Sequence, residues 1–177
     1  MSEPLTEVLA EGRFTRLVRK NGWEYVERTN TSGIVLVIAL TPENELLLVE
    51  QFRPPVNARV IELPAGLAGD IVGQEDEALS IAAGRELEEE TGFRAARLEE
   101  VARGPLSAGL TTEVVTVFRA YELTRVSDGG GDETEDIVVH AVPLADVPVW
   151  LATQTAAGVM LDPKVYAALY FLGANSQ

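Results

Sequence analysis

The chain has 177 residues, none of them cysteine and only one of them histidine, His140. That excludes a disulfide scaffold, a thiolate metal centre, a cysteine nucleophile and a multi-histidine zinc site. Lysine and arginine number 14 against 28 aspartates and glutamates, a net charge of −14, which repels nucleic acid and anionic lipid at long range, so neither is expected as a partner.

The first twelve residues, MSEPLTEVLAEG, are polar and acidic and lack the pattern of a secretion signal, which makes the cytoplasm the expected location. Arg13 to Lys20 and Trp23 to Thr29 flank Asn21-Gly22, a two-residue hairpin signal because both turn positions favour positive φ. Gly33 to Leu40 is a continuous apolar strand, buried on both faces and far too short to cross a bilayer. Thr41 to Asn44 turns the chain into a strand over Glu45 to Phe52, and a short one follows at Arg59 to Leu63. Residues 76 to 91 predict a helix, with Leu79, Ala82, Ala83 and Leu87 on one face. Strands are expected near Leu98 to Ala102, Val114 to Leu123 and Ile137 to Val142. Ser127 to Asp132 is glycine-rich and predicts a mobile loop. Pro148 and Asp162-Pro163 suit the starts of two C-terminal helices. The pattern is that of an α+β protein with mixed sheets and helices outside them. Its expected division is a β-hairpin arm over 1–32 and a main domain over 33–177.

The stretch from Glu77 to Phe93 carries the chemistry. On a helix, Glu86, Glu89 and Glu90 project to one side. Glu77 lies about 900° of rotation before Glu86, on the opposite side, so a bend or an N-terminal loop must bring it round. Four glutamates among residues 86–90 crowd the last turn before Gly92, where the helix dipole disfavours negative charge by about 0.3–1 kcal/mol each. A divalent cation would relieve that repulsion. Oxygen-only ligands select Mg²⁺, with Mn²⁺ as the other possibility. The alternative is a solvated acidic face.

Arg85-Glu86-Leu87-x-Glu89-Glu90-x-Gly92-Phe93, with Glu77 eight residues before the arginine, resembles the Nudix box, G-x5-E-x7-REUxEExGU. The box glycine position is Ile71. The nearest glycine, Gly66 in Glu62-Leu63-Pro64-Ala65-Gly66-Leu67, implies a loop five residues longer between it and Glu77. Gln51 to Pro55 and Trp23 to Arg28 resemble substrate-meeting segments of the ADP-ribose and nucleoside diphosphate sugar pyrophosphatase branch. The resemblance implies a Nudix α/β/α sandwich with a mixed β-sheet and an N-terminal arm used for dimerisation, hence a homodimer.

It also implies roles. Glu86, Glu89 and Glu90, with the backbone carbonyl of Ala65, would hold two or three Mg²⁺ ions. Arg85 would orient the box glutamates, Glu77 would support the loop–helix junction, and Glu88 would face solvent. Glu135, with Glu133 as the alternative, would be the catalytic base, and Glu89 would assist. Arg53 would clamp phosphate. Trp23 would stack on the base with Glu24 and Arg28 nearby, either within the chain or across a dimer, the alternative being that Trp23 packs in the hairpin core, and Glu113 would meet a ribose hydroxyl. His140 is assigned no chemistry. Ala108 stands where the ADP-ribose branch carries proline, which favours a broader nucleoside diphosphate sugar range. The expected activity is hydrolysis of such a sugar to a nucleoside monophosphate and a sugar 1-phosphate. The alternatives are an ADP-ribose-specific enzyme, a non-catalytic nucleotide-sugar sensor, and an RNA-cap or dinucleoside polyphosphate hydrolase, which the acidity disfavours.

Overall fold

Asn21 and Gly22 take φ values of 53° and 80°, and the turn they form pairs β2 (Thr15–Lys20) with β3 (Trp23–Arg28), Lys20 opposite Trp23. The computed structural model describes residues 6–131 and 136–173. The hairpin expected from the sequence is one strand short: β1 (Glu7–Glu11) pairs antiparallel with β2 to give a three-stranded sheet. Its five residues are too few for a clear alternation, and its register shifts between Val8 and Ala10. The sheet joins the body through β3, where the Val26 N–H donates to Leu110 O at 2.8 Å and Thr112 N–H donates to Val26 O at 3.2 Å.

The body is built on two four-stranded sheets lying side by side. One has the order β7 (Ala65–Ala68), β4 (Gly33–Ala39), β9 (Val114–Arg125), β8 (Phe93–Pro105). The other has β10 (Val138–Pro143), β5 (Glu45–Arg53), β6 (Ala58–Glu62), β11 (Met160–Leu161). Both are mixed, since β4 runs parallel to β9 and β6 parallel to β11. The short strands β7 and β11 have too little sequence to announce themselves and form only because a neighbour presents an edge.

Strand alternation assigns the two faces. Leu36 and Ile38 of β4 and Leu46 and Leu48 of β5 join one core, capped by α2 (Val147–Ala156) and α3 (Lys164–Gly173). Val35, Val37 and Leu47 join the other, covered by Ala82, Ala83 and Leu87 of α1 (Leu79–Thr91). Helix, sheet layer and helices give the α/β/α sandwich expected.

Helix α1 starts at Leu79, three residues later than the sequence pattern predicts, with Ala78 extended and no side-chain cap. Residues 69–78 form a loop instead, in which Gln74 N–H bonds to Ile71 O and Glu77 N–H to Gln74 O. At the other end Gly92 adopts φ 77° and its N–H closes on Glu88 O at 2.9 Å. The glycine-rich segment after β9 is not wholly a free loop. Gly130 and Gly131 donate their N–H groups to Glu90 O and Glu89 O at 2.8 and 3.0 Å. They satisfy two of the carbonyls that a helix C-terminus leaves open, beneath the glutamates that crowd it.

Candidate active site

The carboxylates of α1 meet a cleft of about 390 Å³ bounded by β4, β6, β7 and the start of α3. Glu90 is 3% exposed, and its Oε2 accepts the Ala65 N–H at 3.0 Å. Burial in the apolar face of α1 and a β7 partner thus fix the side chain in one orientation. Glu86 lies against Gly66: a Cβ at that position would stand 1.9 Å from the Glu86 carboxyl carbon. Any side chain there would displace the Glu86 carboxylate, so Gly66 packs directly against the helix glutamate despite the longer loop after it. Burial pushes the Glu86 carboxyl up to about 7; Arg85 opposes the shift, and Glu89 and Asp70 add to it.

Arg85 stands at the centre of the acids. Its NH1 donates to Glu86 Oε1 at 2.9 Å and to Glu89 Oε2 at 3.0 Å, and its NH2 to Glu77 Oε2 at 3.2 Å and to Leu67 O at 3.0 Å. The 69–78 loop brings Glu77 round to this side, as the helical geometry required, and its side chain is 4% exposed. Glu88 turns away and pairs with Arg94 at 2.8 Å. Glu89 is about half exposed and does not line the cleft, so the structure gathers Glu86, Glu90 and Ala65 there and leaves Glu89 at the margin.

A divalent ion implied by this helix can be tested against these atoms. Among the described residues no three acidic side chains converge on one point as they stand; the guanidinium of Arg85 lies between Glu77, Glu86 and Glu89 instead. The donor set is nonetheless all oxygen, as a hard cation requires. The Glu86 carboxylate fills the space beside Gly66 and lines the cleft together with Glu90. The residues fit the group in the chemistry of their donors, while Arg85 occupies the space between Glu86 and Glu89.

The facing walls carry cations, each backed by a less exposed carboxylate. Arg53 Nε donates to Glu62 Oε2 at 2.7 Å, and Arg28 Nε donates to Glu113 Oε1 at 2.6 Å. All four side chains line the cleft. Trp23 does not. It is 64% exposed and lies with Tyr25 and Ala108 in a separate groove of about 380 Å³. Glu24 pairs with Arg19 on the exposed arm at 2.7 Å. Within one chain, therefore, neither reaches the cleft. Glu133 and Glu135 lie outside the described residues. His140 bonds Glu50 at 3.0 Å, which also accepts from Arg59, and its ring meets that of Trp150. Burial alone would raise the Glu50 carboxyl, but Arg59 and His140 together hold it below its ordinary value. The sequence reading missed Glu62, Asp162 and Lys164 as cleft residues. Glu62 stood inside a short strand, and Asp162 carried a helix-cap signal that explained it without a cleft.

A mixed-sheet α/β/α sandwich that delivers the glutamates of an R-E-x-x-E-E helix to a cleft between its sheets has the Nudix architecture. The NUDIX domain model matches residues 31–163, and the chain belongs to that family. It is 38% identical over 115 residues to the ADP-ribose pyrophosphatase of Bacillus subtilis (strain 168), a match covering 64% of this chain and 60% of that protein. It is 34% identical to the ADP-sugar pyrophosphatase of Mus musculus over 97% of this chain and 87% of that protein. A crystal structure titled as an ADP compounds hydrolase superposes with a TM-score of 0.71 at 22% identity, over 98% of this chain and 94% of that one, which supports the fold.

Proposed function

We propose that the protein is a divalent-metal-dependent pyrophosphohydrolase that cleaves nucleoside diphosphate sugars to a nucleoside monophosphate and a sugar 1-phosphate. The observation that carries this is the cleft itself: two fixed carboxylates, Glu86 and Glu90, on one wall and salt-bridged cations on the others. The names of the two relatives, an ADP-ribose and an ADP-sugar pyrophosphatase, support the substrate class.

The residues divide the work by charge. A bound Mg²⁺ or Mn²⁺ would neutralise the diphosphate and polarise its phosphoryl oxygens. Glu86, Glu90 and the Ala65 carbonyl would hold it, with Glu89 able to contribute by swinging in from the margin. Arg53 presents a fork of donors that matches phosphate oxygens, and its anchor Glu62 fixes the fork's direction. Arg28, fixed by Glu113, stands at the side of the cleft next to the arm. It would meet the nucleoside, and Glu113 a ribose hydroxyl. Trp23 and Glu24 would act on the nucleobase only from a second copy, which makes a homodimer built through the arm part of this proposal. Glu135, or Glu133, is the proposed base that takes the proton of the attacking water, and a cytoplasmic location completes the reading.

The test is turnover of ADP-ribose, ADP-glucose and GDP-mannose with Mg²⁺, with product identification. Release of nucleoside monophosphate and sugar 1-phosphate is expected. Binding without turnover across the panel would instead make the protein a sensor.

A further inference from the structure

We infer that Lys164 is a substrate-binding residue of the cleft: it and Arg53 together hold the diphosphate group in the cleft that Glu86 and Glu90 also line. The inference rests on the pyrophosphohydrolase reading above and extends it to a residue that the motif does not contain.

Three observations carry it. First, Lys164 and Asp162 line the same cleft as Glu86, Glu90 and Arg53. Second, Lys164 repeats the construction of the other two cations. Its ammonium pairs with the Asp162 carboxylate, and the cation is 32% exposed while its partner is 13% exposed. Arg53 over Glu62 is 42% and 13%, and Arg28 over Glu113 is 36% and 22%. In each pair the carboxylate lies behind and the cation faces open space. The Lys164 and Arg53 pairs also spring from adjacent positions: Asp162 N–H bonds to Ile61 O at 2.9 Å, and Glu62 is the next residue. Two cations therefore hang side by side on the wall where β6 meets β11.

Third, Lys164 is misplaced as a structural residue. It is the first residue of α3, where the helix dipole disfavours a cation just as the C-terminus of α1 disfavours glutamates. Asp162 would cap the helix without it, since its Oδ1 accepts the Lys164 backbone N–H at 2.8 Å. The terminal N–H groups are already engaged, Val165 with Asp162 O and Tyr166 with Pro163 O, so a ligand contact here belongs to the ammonium. Two electrostatic misplacements of opposite sign thus line one cleft. A diphosphate with its counter-ions resolves both, cations of the wall against its oxygens and bound metal against the glutamates. Local rules broken in this way mark function.

The experiment compares wild type, Lys164→Met and Lys164→Arg in turnover of the most active sugar substrate. In parallel, binding of the non-hydrolysable methylene diphosphonate analogue of ADP-ribose is measured by calorimetry with Mg²⁺. Loss of one charge-assisted hydrogen bond to phosphate predicts kcat/KM and analogue affinity lower by about 10- to 100-fold in Lys164→Met, with most of it restored in Lys164→Arg. Losing its partner leaves Asp162, whose side chain is 13% exposed, unpaired and lowers the melting temperature of Lys164→Met, so binding is compared at a temperature where every variant is folded. Analogue affinity and kcat/KM within twofold of wild type in Lys164→Met would overturn the inference, as would failure of wild type to bind the analogue. A wild type that binds the analogue but turns over no substrate, with affinity still lost in Lys164→Met, would sink the hydrolase reading and leave this one standing.

Discussion

Replacing Glu86 by Gln should make the metal-free protein more stable while disabling it. Folding moves the Glu86 carboxyl from an ordinary 4.5 to about 7, with burial as the main cause. At about 1.4 kcal/mol per pH unit of displacement, this is a penalty of roughly 3 kcal/mol against the ionised form. Solvent at the cleft wall screens part of it, which leaves on the order of 2 kcal/mol. The sign follows from proton counting. Between pH 4.5 and 7 the folded state binds the proton more tightly than the unfolded chain, so the stability it contributes is full below 4.5 and lost as pH rises through 7. Glutamine keeps an oxygen for the Arg85 NH1, which Glu86 accepts at 2.9 Å, and carries no charge to bury. In chelator at pH 8 the variant should melt about 4 °C above wild type, and at pH 4 the two should coincide. Thermal melts with EDTA from pH 4 to 9 read this directly. With Mg²⁺ the wild type should gain more than the variant, and turnover by the variant should collapse. A variant less stable than wild type at pH 8, or a difference that does not vary with pH, would refute the reasoning.

Glu90→Gln should lower kcat by at least about 100-fold with circular dichroism unchanged, because glutamine can still accept the Ala65 N–H but cannot supply the charge; near-normal turnover would refute the metal assignment. Arg85→Ala strips the guanidinium from Glu77, which is 4% exposed, and denaturant titration should show a loss of about 3–5 kcal/mol for the orphaned buried charge. Leu87→Ala opens a cavity beneath α1 where Leu87 is fully buried, at a cost of about 2–5 kcal/mol by the same titration. Gly66→Ala should fold with the Glu86 side chain displaced, lowering Mg²⁺ affinity in calorimetry by about tenfold or more; an unchanged affinity would separate Glu86 from the metal.

Much of this protein was legible as local pattern. Asn21-Gly22 fixes a turn by its φ preferences, the 33–40 run is a doubly buried strand, and Leu79, Ala82, Ala83 and Leu87 mark a helix face, because each depends on residues only a few positions apart. The carboxylate cluster was visible for the same reason: four glutamates at a helix C-terminus are unfavourable whatever surrounds them. The tertiary structure decided what depends on distant partners. β1, β7 and β11 are strands only because β2, β4 and β6 offer them edges. The last turn of α1 is tolerable because Gly130 and Gly131, some forty residues on, donate to its carbonyls. Above all, the sequence reading passed over Lys164 and carried Glu62 inside a short strand. Only the packing of β11 against β6 sets their ion pairs on one wall of the cleft, since a charge acquires its role from what it faces, and that is a property of the assembled sheets.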